Sequence, residues 1–247
     1  MIRVDQALVA RGLCESREKA RRTIMAGQVR INEQVAAKAS QNVREDDNLS
    51  LAAAEKFVSR GGFKLEHALR QFGIAPVGWT AIDLGASTGG FTDCLLQHGA
   101  ARIYAVDVGC GQLAWKLRQD PRVVVMEKTN ARELTPGRFP PPFSPVDLVA
   151  VDCSFISLRK ILPPAIALLR TSGSIVALIK PQFEAGKIEA DKGRGVIRDP
   201  VIHARILAEL EQFVRDELKM IWRAVTESPL LGPAGNKEYL VCIEKTR

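Results

Sequence analysis

From residue 80 onward the chain alternates strand-sized apolar runs with helical stretches, and no other feature limits its possible folds as strongly. Residues 80–84, 103–107, 123–126, 147–152 and 174–180 are short runs rich in aliphatic residues. Residues 91–98, 113–118 and 158–169 lie between them with apolar side chains at helical spacing. Residues 63–72 form a similar stretch ahead of the first run, and 201–218 a long one after the last. Two further strands are expected at 220–225 and 238–243. This alternation predicts an α/β fold with a doubly wound, mainly parallel sheet. In such a sheet ligands bind beyond the carboxyl ends of the strands, so the residues that close each strand are the first candidates for function.

The chain has 247 residues, 46% hydrophobic and 26% charged, which excludes a disordered or fibrous protein. Its apolar runs are strand-sized, and none reaches the ~20 residues of a membrane helix. The segment Met1-Ile2-Arg3-Val4-Asp5 lacks the apolar core of a signal peptide. A cytoplasmic protein with no stable membrane association is expected. The five cysteines form no C-x-x-C pair, and His67, His98 and His203 are scattered, so neither a disulfide framework nor a metal site is expected. The net charge is +7. It is concentrated at the front, where residues 1–30 hold seven bases against three acids. Such an excess favours a polyanionic partner.

The first strand runs into Asp83-Leu84-Gly85-Ala86-Ser87-Thr88-Gly89-Gly90. Gly85, Ser87 and Gly90 have the spacing of a dinucleotide fingerprint, but serine stands where the second glycine admits a pyrophosphate. A cofactor without pyrophosphate fits better. S-adenosylmethionine is one, its amino-acid end on the loop amides near Asp83, its ribose near Asp107 and its adenine near Asn130. A side chain at Gly89 is expected to crowd the backbone that the cofactor approaches. Asp152 and Lys180 end two later strands, and Glu238 opens the last. If that last strand runs antiparallel, Glu238 lies at the same edge, and Lys64 on the helix before the first strand could reach over. Each of the four could instead be an ordinary salt-bridge partner.

The front of the chain reads as a small α+β module. Residues 3–13 predict a short helix closed by Gly12, and Ser16 predicts the N-cap of a second, about 17–25. Arg17, Arg21 and Arg22 share roughly one face of it, with Ala20, Ile24 and Met25 expected on the buried side. Val29, Ile31 and Val35 alternate as a hairpin. Arg3-x-Asp5-x-x-Leu8, Ser16-Arg17-x-x-Ala20, Gly27-x-Val29-x-Ile31-Asn32 and Asp47 together resemble an S4-like RNA-binding domain. Arg3, Arg17, Lys19, Arg21 and Arg22 are its candidate RNA contacts. The domains are expected at 1–54 and 61–247, with 55–60 a linker punctuated by Gly61-Gly62.

The larger segment resembles the FtsJ-like RNA 2′-O-methyltransferases, whose Lys-Asp-Lys-Glu tetrad falls on Lys64, Asp152, Lys180 and Glu238. Val58-Ser59-Arg60-Gly61-Gly62-x-Lys64-Leu65, Val151-Asp152-x-Ser154-Phe155-Ile156-Ser157, Ile179-Lys180-Pro181-Gln182-Phe183-Glu184 and Gly235-Asn236-Lys237-Glu238-Tyr239 are similar to the TlyA, or haemolysin A, family. That family joins both domain types, so the resemblance spans the chain. Its linker form Arg-x-Trp-Val is replaced here, with Glu55 in the arginine position and Phe57 in the tryptophan position. The resemblance implies S-adenosylmethionine-dependent methylation of ribose 2′-hydroxyls in ribosomal RNA, of cytidine, on one or both subunits and without a metal. In it Lys180 would be general base or orienting group, Asp152 would hold Lys180, and Glu238 and Lys64 would position the ribose. A secreted or membrane-active haemolysin, a non-catalytic ribosome-binding protein and a nicotinamide oxidoreductase are the competing readings.

Overall fold

A computed structural model describes residues 1–51, 56–186, 189 and 193–246, and the chain divides into two compact units, Met1–Lys56 and Phe57–Arg247. The first unit contains β1 (Ile2–Arg3), α1 (Val4–Ala10), α2 (Arg17–Met25), β2 (Val29–Ile31), β3 (Gln34–Val35), β4 (Asn42–Val43) and β5 (Leu49–Leu51). β1 pairs antiparallel with β4, and β2 lies between β3 and β5 in a second antiparallel sheet. The Ser16 hydroxyl caps α2 by accepting from the Lys19 amide at 3.2 Å. Val4, Leu8, Ala20, Ile24, Val29, Val43 and Leu49 form the core. Met25 does not join it and is 86% exposed. One residue turns an α-helix by about 100°, so the position after buried Ile24 swings out to solvent.

The second unit begins with α3 (Gly61–Phe72), β6 (Thr80–Leu84), α4 (Gly90–Gln97), β7 (Arg102–Val106), α5 (Trp115–Arg118) and β8 (Val123–Met126). It continues through β9 (Val146–Val151), α6 (Leu158–Leu168), β10 (Leu169–Ile179), α7 (Pro181–Glu184), α8 (Pro200–Gln212), β11 (Ile221–Glu227) and β12 (Tyr239–Glu244). The helix expected over 201–218 ends at Gln212 and continues as a π-helical turn, Phe213–Glu217.

The seven strands lie in the order β11-β12-β10-β9-β6-β7-β8. β6 to β10 run parallel, and β12 runs antiparallel to both of its neighbours. Successive strand residues alternate between two apolar layers, as a strand covered on both faces requires. Ile82, Leu84, Val149, Val151, Ile175 and Ala177 pack with Leu162 of α6 and Leu210 of α8. Ala81, Ile103, Leu148, Val176 and Leu178 pack with Leu65 of α3 and Leu95 of α4. Chain order reverses between β6 and β9, so the crevice between their carboxyl ends is the switch point where ligands collect.

Residues 58–60, read as linker from the sequence, belong to the second unit, as does Phe57. Phe57 is buried there and meets Phe63 edge-on at 5.1 Å between ring centroids. Glu55 lies outside the described residues.

Candidate active site

The Asp83–Gly90 loop leaves the end of β6 under tight constraint. Gly85 has φ +86°, and a Cβ there would stand 2.6 Å from the Asp152 carbonyl oxygen. Only glycine lets the β6 and β9 loops approach so closely. The Gly85 and Ala86 amides donate to the Val106 carbonyl at 2.9 and 3.1 Å, folding the loop over β7. Gly89 also has positive φ, +96°, but its missing Cβ faces Leu117 and Leu113 of this chain. The expected crowding of a cofactor by a side chain at Gly89 is therefore corrected to a clash with the α5 region. A Cβ at Gly90 would meet Ser59 and the Gly61-Gly62 backbone, so this glycine serves the contact of α4 with α3.

Asp83 is fully buried. Its Oδ2 accepts from the Thr92 amide at 2.9 Å and hydroxyl at 2.7 Å, while Oδ1 has no partner among the described residues. Burial, with Asp152 and Asp107 adding repulsion, pushes its carboxyl up to about 7 against the hydrogen bonds from Thr92. Asp107 ends β7. Its Oδ2 accepts from the Ser87 amide at 2.8 Å and its Oδ1 from the Gly109 amide at 2.7 Å, which joins two loops. Ser87 and Thr88 are exposed at the loop tip, and the Thr88 carbonyl accepts from the Ala114 amide at 3.1 Å. Asn130 is turned to local work. Its Oδ1 accepts from the Arg132 amide at 3.1 Å and its Nδ2 donates to Glu133 at 2.9 Å, capping a 3₁₀ turn.

Asp107 and Asp152 thus both act on Asp83 at the ends of neighbouring strands, and one buried Asp83 oxygen has no partner among the described residues. That field suits a cationic ligand and opposes a pyrophosphate. The donor set fits S-adenosylmethionine, whose sulfonium and ammonium are positive.

The second half of the site is a row across three strand ends. Asp152 follows β9, Lys180 follows β10 and Glu238 precedes β12. β12 pairs with β10 through Ile179 and Tyr239, so one step further Glu238 stands opposite Lys180. Opposed residues of an antiparallel pair share a face. Lys180 Nζ meets Asp152 Oδ1 at 2.7 Å and donates to Ser154 Oγ at 2.9 Å. Lys64 reaches from α3 to form an ion pair with Glu238 Oε2, while Glu238 Oε1 is buried with no partner among the described residues. Lys64, Lys180 and Glu238 are buried. An ammonium has three N–H donors, and among the described residues Lys180 places two in hydrogen bonds, with the Phe183 ring centroid 6.0 Å from Nζ, so a third is left.

Several supports were not legible in the sequence. Glu184 accepts from the Ser157 hydroxyl at 2.6 Å and the Leu158 amide at 2.8 Å, which ties the Lys180 loop to the Asp152 loop. Burial pushes its carboxyl up. Asn236 bonds the Ile197 amide and the Gly195 carbonyl, and His203 sits 2.8 Å from the Tyr239 hydroxyl, which fixes the approach to Glu238. Phe155 has φ +61° and is 90% exposed, its ring 5.0 Å from that of Phe183. The aromatic in Asp152-x-Ser154-Phe155 is its sequence signal, and spacing carries no information on exposure.

In the first unit Arg3, Arg17 and Arg21 all bond buried Asp5, whereas Arg22 pairs with Glu18 and Lys19 is exposed.

A doubly wound sheet with an acidic loop at its switch point and paired lysines and carboxylates beside it defines a methyltransferase class. The chain belongs to the FtsJ-like methyltransferase family, whose pattern matches residues 57–245, and an S4 domain matches residues 2–49. It is 47% identical to the 16S/23S rRNA (cytidine-2′-O)-methyltransferase TlyA of Mycobacterium tuberculosis, over 97% of this chain and 88% of that one. It is 41% identical to Hemolysin A of Brachyspira hyodysenteriae, over 97% of this chain and 98% of that one. A solved Streptococcus thermophilus protein described as a candidate hemolysin is 42% identical, with TM-score 0.75, covering 99% of this chain and 88% of that one.

Proposed function

We propose that this chain transfers a methyl group from S-adenosylmethionine to a ribose 2′-hydroxyl of ribosomal RNA, at cytidine, acting on ribosomal subunits in the cytoplasm. The observation that carries the reading is the row Asp152, Lys180, Glu238 with Lys64 joined to it, largely shielded from water, with one N–H of Lys180 and one oxygen of Glu238 unspent. Both unspent groups match a ribose edge, which offers hydroxyl donors and acceptors. The relatives that carry rRNA methyltransferase names supply the choice of ribosomal RNA and of cytidine.

S-adenosylmethionine, when bound, supplies a methyl group already activated by its sulfonium. Asp83, Asp107 and the Gly85–Gly90 loop are the residues that would hold it. A ribose hydroxyl is a very weak acid, so the protein must place it in line and assist loss of its proton. Lys180, with two positions held by Asp152 and Ser154, points its third at the hydroxyl, where the amine form accepts the hydroxyl proton. Glu238, paired with Lys64 through Oε2, accepts from a ribose hydroxyl through Oε1. The exposed ring of Phe155 offers a stacking surface for the target base.

The haemolysin alternative has no comparable support. Among the described residues no helix is long and apolar enough to cross a membrane, and this chain, 41% identical to Hemolysin A, itself carries a methyltransferase pattern over residues 57–245.

The test is a map of 2′-O-methyl positions in rRNA from a deletion strain, complemented with wild type, Lys180→Ala or Lys180→Arg. Loss of one or more methylated cytidines on deletion, restored by wild type alone, supports the reading. An unchanged map overturns it. Purified Lys180→Ala is expected to lose about 10²-fold or more in turnover while still binding S-adenosylmethionine. Lys180→Arg also fails if proton removal or the compact fit of the amine matters, and near-wild-type turnover would leave Lys180 an electrostatic role alone.

A further inference from the structure

We propose that buried Asp5 templates a phosphate-binding site on the first unit by holding Arg3, Arg17 and Arg21 as a fixed comb. The proposal rests on the reading that this unit binds ribosomal RNA, and it adds the residue that organises the contact.

Asp5 lies in the first turn of α1 with its side chain fully buried. Arg3 grips it with two parallel bonds, Nε to Oδ1 at 3.0 Å and an Nη to Oδ2 at 3.1 Å. Arg17 and Arg21, one turn apart on α2, each donate to the same Oδ2 at 3.3 Å. The three guanidiniums hold Asp5 well below the usual carboxylate range, against the effect of burial. It is therefore an anion at any working pH.

One carboxylate facing three guanidiniums leaves a local excess of two positive charges. The arginine side chains are 39%, 50% and 54% exposed, while Asp5 is hidden beneath them. Each guanidinium has five N–H donors in a rigid fork, and most are unspent. A carboxylate needs only one such fork for satisfaction, so an internal ion pair kept for stability would not need the other two. Arg11 shows the contrast. Its donors are used on the carbonyls of Asp47, Arg44 and Glu45, and it is structural. The same planar fork that binds Asp5 binds a phosphate. Ordering a free arginine costs rotamer entropy, and here that cost is incurred on folding rather than on binding.

Asp5→Asn makes the two explanations diverge in sign. The substitution removes a negative charge. If the arginines act only as a cloud of charge, the full-length variant binds a fluorescein-labelled rRNA hairpin more tightly than wild type. If Asp5 is a template, binding weakens by about ten-fold or more. The slope of log K against log salt also flattens by roughly two, the release expected for two lost phosphate contacts. Tighter or unchanged binding overturns the proposal. Arg3→Gln/Arg17→Gln/Arg21→Gln in one chain tests the underlying reading separately. An unchanged salt slope there means that this face does not bind RNA, whatever Asp5 does.

Should Asp5→Asn not fold, as judged by circular dichroism and melting, side-chain NMR of the wild-type protein decides. The Nε–H groups of Arg3 and Arg21 are expected to be slow to exchange and ordered before RNA is added. Fast exchange indistinguishable from that of Arg22 overturns the template.

Discussion

Glu238 shows how much of the site depends on single atoms. Its Oε2 belongs to Lys64, and its free Oε1 faces the backbone at Gly232, where a Cβ would come within 2.5 Å. Gly232→Ala is expected to push the carboxylate away from Lys64. Methyl transfer should fall about 10²-fold or more while S-adenosylmethionine affinity and fold are kept. Single-turnover assays beside calorimetry separate these, and unimpaired turnover would show that Oε1 is not used. Asp83 gives a pH signature. Its carboxyl is pushed up to about 7 from an unfolded value of 3.8, so the folded protein holds a proton that the unfolded chain has released over that window. Stability from this group is therefore present below the unfolded value and is lost as pH rises toward 7. A cationic ligand favours the carboxylate, so its binding expels the proton. Affinity for S-adenosylmethionine should rise with pH through about 7 and then level off, with proton release visible in buffers of different ionisation enthalpy. Asp83→Asn should abolish that dependence, and a pH-independent wild type would place the cofactor's positive charge elsewhere.

The elements place these residues through their ends. β6, β7, β9 and β10 each carry a residue of the proposed site at or just past their carboxyl ends, and the helices that follow begin under tight packing. Gly89 begins one of them. Gly89→Ala adds left-handed strain of about 1–2 kcal/mol and a clash with Leu117 and Leu113, for a total near 2–4 kcal/mol. The expected readout is a fall in melting temperature of roughly 5–15 °C, with cofactor affinity far less affected at low temperature. Unaltered melting with loss of cofactor binding would restore the role first read from the sequence.

At the scale of the whole molecule the proposed function divides the labour between the two units, one for RNA affinity and one for chemistry. Neutralising Arg17, Arg21 and Arg22 together should raise KM for ribosomal subunits and flatten its salt dependence, leaving kcat and S-adenosylmethionine affinity near wild type. Arg22 should contribute least to any ordered contact, since its partner is exposed Glu18 and not Asp5. A fall in kcat at saturating substrate, with KM unchanged, would contradict the division.

The α/β architecture, the glycine-rich loop after the first strand of the sheet and the strand-end positions of Asp152 and Lys180 were legible in the sequence. They follow from local rules: residue type sets strand or helix, and a parallel sheet presents its carboxyl ends as one edge. What lay beyond local rules was every pairing between distant segments. Lys64 and Glu238 are 174 positions apart, and their contact exists because β12 inserts antiparallel beside β10. The capping role of Asn130, the exposure of Met25 and Phe155 and the grip of Asp5 on three arginines have the same origin. Spacing along a chain determines which faces residues share within an element. Which face meets which neighbour, and which atom is left without a partner, is decided only when the elements pack.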